Sequence, residues 1–205
     1  MRKKPRLGIM GGTFDPIHFG HLVAAEEALV QFNLDRVVFM PTGRPAAKLE
    51  QPVTSPEHRY LMTVIATAAN PDFEVSRMEI DRPGPTFTAD TMAEMRRSLG
   101  PAAELYFVSG ADAVWEILTW KDAERLGNLC SFIAATRPGY DLAGFEERLK
   151  ALSWAPRVDI IEVPALAISS TDIRARVSQR RPVRYLLPEP VAAYIAKNRL
   201  YGRAG

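Results

Sequence analysis

Short apolar runs alternate with helical stretches along this chain, and this alternation restricts the fold more than any other feature of the sequence. The first run, residues 7–10, has the character of a buried parallel strand, and the apolar residues of 22–32 then recur at helical spacing. The predicted strands are 6–10, 36–40, 73–77, 105–109, 131–135 and 158–163. The sequence therefore predicts an α/β fold, a Rossmann-like doubly wound parallel sheet of about six strands with helices on both faces.

The length and net charge of the chain limit the number of domains and the kinds of partner that we expect. A chain of 205 residues is expected to form one domain, 1–205, with a helical C-terminal part over about 169–205. Its 26 basic and 24 acidic residues give a net charge of +2, so no overall field favours nucleic acid or an anionic membrane. The basic stretch 174–205 also lacks the interleaved aromatic residues of a nucleic-acid arm.

The single cysteine, Cys130, excludes an internal disulfide and fits a reducing compartment. No apolar run approaches the length that spans a membrane. We therefore expect a cytoplasmic protein without membrane or nucleic-acid partners. The sequence leaves both a monomer and a homo-oligomer open.

The segment 11–21 joins the first predicted strand to the first helix. Gly11 and Gly12 are predicted to form a turn that a phosphate can approach closely. His18 and His21, three residues apart, are predicted to share one face at the helix N-terminus, the end that favours anions. Imidazole groups there can donate to phosphoryl oxygens, whereas a zinc site would need further ligands that the pattern does not supply.

A second hydroxyl-rich helix start, near the end of the chain, is predicted to form another anion site. Ser169, Ser170 and Thr171 cap this helix, and Arg174 follows one turn later with a planar fork of donors.

Three other segments offer weaker signals. Gly110 and Asp112 follow a strand, a position that suits a ribose contact or an ordinary helix start. Lys48 lies in a turn-rich loop, where it either reaches a phosphate or is solvated. Thr88 is predicted to be a helix N-cap.

A further helix is predicted to begin after Ser55, the N-cap, with Pro56 at its first position. Leu61, Ile65 and Ala68 are predicted to form its buried face.

The motifs G-G-T-F-D-P-I-H-F-G-H and I-S-S-T-x-x-R resemble the signatures of the nucleotidylyltransferase superfamily, in particular of the bacterial nicotinate-mononucleotide adenylyltransferases. The resemblance covers nearly the whole chain. It implies transfer of the adenylyl group of ATP to nicotinate mononucleotide, with release of pyrophosphate and with Mg²⁺ held through the substrate phosphates. ATP and nicotinate mononucleotide are then the small-molecule partners, and no metal is held by protein side chains alone.

The resemblance also assigns site residues. His18, His21 and Arg174 are the implied catalytic residues. The implied ATP-binding residues are Gly11, Gly12, Thr13, Phe14, Lys48, Gly110, Asp112, Arg137, Ser169, Ser170 and Thr171. The implied nicotinate mononucleotide-binding residues are Phe87, Thr88 and Trp120. One departure is the pair Ala46-Ala47, where many members carry a histidine before the lysine.

Alternative functions stay open at this point. Within the superfamily, phosphopantetheine or nicotinamide mononucleotide are rival acceptors. A dinucleotide-binding oxidoreductase would carry a G-x-G-x-x-G fingerprint after the first strand, which this chain lacks. A non-catalytic nucleotide-binding protein would not need the pair His18 and His21.

Overall fold

A six-stranded sheet forms the centre of the structure, a computed structural model that describes residues 4–44, 53–118, 122–136, 139–164 and 167–202. Its strands are β1 (Arg6–Gly12), β2 (Arg36–Pro41), β3 (Phe73–Val75), β4 (Glu104–Gly110), β5 (Ser131–Thr136) and β6 (Val158–Glu162). The sheet order is β3-β2-β1-β4-β5-β6, and the strands run parallel. The predicted doubly wound α/β fold is thereby confirmed.

Helices lie between the strands, and two more follow β6. They are α1 (Phe19–Gln31), α2 (Pro56–Thr67), α3 (Thr88–Leu99), α4 (Ala111–Leu118), α5 (Ala123–Gly127), α6 (Leu142–Lys150), α7 (Ser170–Ser178) and α8 (Glu189–Lys197). In the part of the chain that the structure describes, no helix has the length and apolar character needed to cross a membrane.

Apolar side chains of the central strands form the core. Ile9 of β1 pairs in register with Phe107 of β4, which pairs in turn with Phe132 of β5, and all three are almost completely buried. Gly8 of β1 lets this strand approach its neighbours, since a Cβ there would lie 2.9 Å from the side chain of Leu34. Burial of both sheet faces explains why these strands read as continuous apolar runs.

The chain divides into two compact units. Unit 1 comprises Met1–Met10, Ala24–Val37 and Phe87–Ala165, and unit 2 comprises Gly11–Val23, Val38–Thr86 and Leu166–Gly205. The interpretation of 1–205 as one domain stays a prediction. The division places the segment 11–21 and the two C-terminal helices in unit 2.

Helix α2 begins as predicted, because Ser55 caps it by accepting from the backbone N–H of His58 and Pro56 is its first residue. The predicted buried face is wrong, however. Leu61 is exposed, and the side chains that the helix buries are instead Arg59, Met62, Thr63 and Thr67. Each buried threonine hydroxyl donates to the carbonyl four residues earlier, which satisfies it without a polar partner elsewhere.

Candidate functional site

The turn between β1 and α1 is not made by its glycines, which corrects the prediction for Gly11 and Gly12. Both lie within β1, where the Gly12 carbonyl accepts from the backbone N–H of Thr42 at 2.9 Å. The positive φ of this turn, 50°, belongs to Phe14. A Cβ on Gly12 would lie 2.8 Å from the Phe14 ring. Gly12 therefore provides space for that ring rather than conformational freedom.

Phe14 in turn supports a histidine. Its buried ring meets the His21 ring edge-on, with the centroids 5.1 Å apart and the planes at 87°. On another side it packs against Phe39, with the centroids 5.8 Å apart. Phe14 therefore packs against the histidine, and its contact with ATP stays a prediction of the resemblance.

The rings of His18 and His21 lie face to face, 3.8 Å apart between centroids and 28° from parallel. The His18 carbonyl accepts the first helical hydrogen bond of α1, from His21, so His18 stands at the N-cap. The backbone N–H of His18 donates to Nδ1 of His21 at 3.2 Å. Because a backbone N–H can only donate, Nδ1 of His21 is unprotonated, and the neutral ring carries its proton on Nε2.

Burial keeps both imidazoles uncharged. His18 is only 6% exposed, and its burial lowers its pKa from 6.5 to about 4. The pKa of His21 lies well below its ordinary value, first because of burial and second because of repulsion from His18. Nδ1 of His18 is buried and has no hydrogen-bond partner among the described residues. At neutral pH the pair therefore offers neutral N–H donors, and a nearby polyphosphate would raise both pKa values.

Helix α7 is attached to this same loop. Ser169 caps the helix by accepting from the backbone N–H of Asp172 at 3.1 Å, as predicted. Ser170 is already helical, and its Oγ donates to the carbonyl of Pro16 at 2.8 Å. The proton of the Ser170 hydroxyl is thus used in a hydrogen bond within the protein.

Arg174 reaches the same segment. Its Nη1 donates to the carbonyl of Asp15 at 2.8 Å, and its Nη2 donates to Oγ1 of Thr171 at 3.3 Å. The two predicted anion sites are therefore not separate, because α7 is hydrogen-bonded to the loop that carries His18.

The Asp15 carboxylate is a junction that sequence reasoning missed. Tyr201 Oη donates to its Oδ1 at 2.6 Å, and the backbone N–H of Thr54 donates to its Oδ2 at 3.1 Å. The side chain of Asp15 is nearly inaccessible, at 5% exposure. No sequence signal relates a residue near the C-terminus to one near the N-terminus.

Arg59 is a second missed residue. Its side chain is 1% exposed and donates to three backbone carbonyls, those of Thr13 (2.8 Å), Gly43 (3.0 Å) and Thr54 (2.8 Å). Burial lowers the pKa of Arg59, and attraction to Asp15 partly opposes this. The guanidinium thus joins the loop after β1, the loop after β2 and the entry to its own helix α2.

In unit 1, Gly110 ends β4 and Asp112 lies in the first turn of α4. A Cβ on Gly110 would meet no atom within 4 Å, so this backbone lies open. The Asp112 carboxylate accepts from the hydroxyl of Tyr140 at 3.1 Å. Asp112 therefore already holds one hydroxyl, the type of group that a ribose would present.

The prediction that Thr88 caps α3 is wrong by one residue. Thr88 is the first helical residue, and the carbonyl of Phe87 accepts the first helical hydrogen bonds, from Asp90 and Thr91. Phe87 therefore occupies the N-cap position in extended backbone, and it makes no side-chain cap bond. Its ring is 50% exposed at the start of the helix.

Three candidate residues, Lys48, Trp120 and Arg137, lie outside the described residues.

Comparison with known proteins identifies relatives along the full length. The cytidylyltransferase-like family matches residues 9–176. The probable nicotinate-nucleotide adenylyltransferase of Moorella thermoacetica is 59% identical over 198 residues, which cover 96% of this chain and 91% of that protein. The protein of the same name from a Thermoanaerobacter species is 53% identical over 203 residues, covering 98% of this chain and 96% of that protein.

Among solved structures, nicotinic acid mononucleotide adenylyltransferase of Plasmodium falciparum complexed with NaAD superposes with a TM-score of 0.77 at 18% identity. The match covers 96% of this chain and 97% of that one. The same Plasmodium protein complexed with APC gives a TM-score of 0.75 at 20% identity, with the same coverage. At these identities the likeness concerns the fold.

Proposed function

The chain belongs to the cytidylyltransferase-like family, and from this premise we infer that it transfers the adenylyl group of ATP to nicotinate mononucleotide in NAD biosynthesis. Full-length relatives at 53–59% identity, which carry the name nicotinate-nucleotide adenylyltransferase, are the observation that carries this conclusion. The stacked histidines at the start of α1 agree with it, since a phosphate at this helix end would meet N–H donors. The resemblance drawn from the sequence motifs is thereby confirmed.

In this reaction an oxygen of the 5′-phosphate of nicotinate mononucleotide attacks the α-phosphorus of ATP. A new phosphorus–oxygen bond forms, the bond from the α-phosphorus to the bridging oxygen of the β-phosphate breaks, and pyrophosphate leaves. The attacking phosphate is already an anion, so no general base is needed. The protein therefore acts by positioning the phosphates and by stabilising their charge.

We assign the charge-stabilising role to the histidines. Nε2 of His21 is the protonated nitrogen of its neutral ring, and it donates to a phosphoryl oxygen of ATP. His18 stacks on this ring and fixes its plane. Both pKa values are low without substrate, so the rings are neutral donors when the triphosphate arrives. The negative charge of the phosphates raises those pKa values, and a ring that takes up a proton there becomes a charged and stronger donor.

Arg174 is the proposed partner of the leaving pyrophosphate. Its bonds to Asp15 and Thr171 fix the plane of a guanidinium that carries five N–H groups. A fixed fork of donors suits the two neighbouring oxygens of a phosphate.

We propose that Mg²⁺ would be held through the phosphates of the bound nucleotide, where it would neutralise part of their charge. The donor set fits this arrangement. The Asp15 carboxylate is engaged at both oxygens, and the Asp112 carboxylate accepts from Tyr140. Among the described residues there is no group of three or more histidine, cysteine or acidic side chains that could hold a metal alone.

For the acceptor, we propose that the start of α3 binds the nicotinate carboxylate. The first turn of a helix presents backbone N–H groups that have no partner within the helix, and Thr88 opens that turn. A carboxylate is favoured there over a neutral amide, whose NH₂ group would face further donors. Ring stacking on Trp120 stays a prediction.

A pyrophosphate-release assay with ATP and three acceptors tests this proposal: nicotinate mononucleotide, nicotinamide mononucleotide and phosphopantetheine. We expect nicotinate mononucleotide to be preferred over the amide by at least about two orders of magnitude in kcat/KM. Thr88→Ala should reduce this preference. Ser98→Ala, which removes a hydroxyl at the opposite end of α3, should leave it unchanged.

The outcomes separate the alternatives. Equal turnover of the two mononucleotides would refute the carboxylate site while leaving adenylyl transfer intact. Release of pyrophosphate with phosphopantetheine alone would identify the rival acceptor. Binding of ATP without turnover of any acceptor would favour a non-catalytic nucleotide-binding protein.

We also propose a cytoplasmic location. The single cysteine of the chain, Cys130, is a free, buried thiol, which suits a compartment in which cysteines stay reduced. Cell fractionation with an antibody against the chain would test it.

A further inference from the structure

We propose that Tyr201 is a positioning residue for adenylyl transfer, which holds the Asp15 carboxylate and thereby fixes the loop that carries His18. This role rests on the proposed function. Neither the family motifs nor the sequence pattern assigns any part to Tyr201.

The contacts around Asp15 support this role. The Tyr201 hydroxyl donates to Oδ1 at 2.6 Å, a shorter distance than the 3.1 Å at which the backbone N–H of Thr54 donates to Oδ2. The backbone carbonyl of the same residue accepts from Arg174. Asp15 is therefore held at its side chain and at its main chain. A shift of the carboxylate consequently also disturbs the guanidinium of Arg174, the proposed partner of pyrophosphate.

The path from Asp15 to His18 is short and rigid. Only Pro16 and Ile17 intervene, and both are buried. The Pro16 carbonyl accepts from Ser170, which leaves this stretch little freedom to absorb a movement. A displacement of Asp15 is therefore transmitted to His18, whose ring stacks on that of His21.

The chemistry of the phenol suits a permanent donor. Burial, followed by the hydrogen bond to Asp15, raises the pKa of Tyr201 well above its ordinary value. The hydroxyl consequently stays protonated across any practical assay range. Its removal would leave a nearly inaccessible carboxylate oxygen without its donor.

The chain offers a matched control. Tyr194 of α8 also contributes a hydroxyl to a distant residue, since its Oη lies 2.8 Å from Nδ1 of His58. Tyr194→Phe and Tyr201→Phe therefore delete the same group from the same C-terminal region. The first deletion affects a pair to which we assign no part in substrate binding.

Kinetics at a temperature well below both unfolding midpoints, normalised to folded protein by near-UV circular dichroism, tests the role. We expect Tyr201→Phe to lower kcat at least about tenfold with KM for nicotinate mononucleotide within about twofold, because the loss falls on transition-state donors. Tyr194→Phe should stay within about twofold of the wild type in both parameters. Equal effects of the two variants on kcat would overturn the proposal.

A variant at the other end of the hydrogen bond covers the case in which Tyr201→Phe does not fold. Asp15→Asn weakens the same hydrogen bond from its other end, and it should also lower kcat. When both variants fold, the double variant should be no slower than the slower single variant, since the two residues act as one unit. Independent, multiplying effects, or an Asp15→Asn enzyme with wild-type kcat, would overturn the role of this bond.

A wild-type enzyme without pyrophosphate release would overturn the proposed function as well, whereas an active wild type with unaffected variants would overturn this inference alone.

Discussion

Replacing Arg59 by methionine should destabilise the protein more than removing any exposed ion pair. Methionine keeps most of the aliphatic length and removes every donor, so the carbonyls of Thr13, Gly43 and Thr54 lose their partner inside the protein. A buried acceptor left unsatisfied costs about 1–3 kcal/mol. With partial relaxation around three such groups, we expect a loss of about 3–5 kcal/mol, the range seen when a buried charged partner is removed.

Thermal unfolding measures this loss. For a chain of this size each kcal/mol lowers Tm by about 2–4 °C, so Arg59→Met should lower Tm by about 6–20 °C. Arg77→Met is the control. Arg77 forms a bidentate pair with Glu57, at 2.7 and 2.9 Å, and a further bond with Asp81. Its side chain is 36% exposed, so water replaces these bonds when they are lost, and the fall in Tm should be clearly smaller.

These two variants separate the effect of burial from the effect of partner charge. Arg77 binds two carboxylates, whereas Arg59 binds neutral carbonyls, so partner charge alone would make Arg77 the more important residue. Burial, rather than the formal charge of the partner, is what we hold responsible for the importance of Arg59. A fall in Tm for Arg59→Met that is no larger than that for Arg77→Met would refute this reasoning.

Three further predictions concern His18 and Arg174. His18→Ala should lower kcat by at least about two orders of magnitude with little change in KM for ATP, and steady-state kinetics showing a tenfold effect or less would contradict its role. Arg174→Ala should weaken binding of ATP and pyrophosphate but not of nicotinate mononucleotide, and calorimetric titration showing equal weakening would point to a purely structural residue. Since the folded-state pKa of His18, about 4, lies below its unfolded value of 6.5, the unfolded chain binds more protons between these values. Stability should therefore be present above pH 6.5 and fall as the pH drops towards 4, and urea titrations should show a smaller fall for His18→Gln.

The sheet was predictable because its determinants are local. Each central strand is buried on both faces, so the strand itself must be apolar throughout, and this composition is visible without any knowledge of its neighbours. The histidine pair was predictable for a similar reason. Residues three apart at a helix start lie on one face whatever surrounds the helix, and His18 and His21 stack accordingly.

The errors arose where a residue type had two physical uses. The pair Gly11 and Gly12 is predicted to form the turn, yet Gly12 lies in β1 and leaves room for Phe14, which itself takes the positive φ of the turn. Thr88 was read as a cap, yet threonine is also tolerated inside a first turn, and the extended backbone of Phe87 starts the helix one residue earlier. Composition alone does not separate these uses, since both depend on neighbours in space.

Arg59 could not be predicted because its partners lie in two separate connections, Thr13 after β1 and Gly43 and Thr54 between β2 and α2. The reason for its place is geometric. A trans peptide directs its C=O and the N–H of the following residue in opposite directions. When the carbonyls of Thr13 and Gly43 point towards the Arg59 guanidinium, the N–H groups of Phe14 and Arg44 point away from it. One buried side chain thus sets the orientation of two peptide planes, in the loop that carries the histidines and in the loop after β2. An arginine on a helix face that otherwise buries threonines and a methionine is therefore the feature to look for in sequences of this kind.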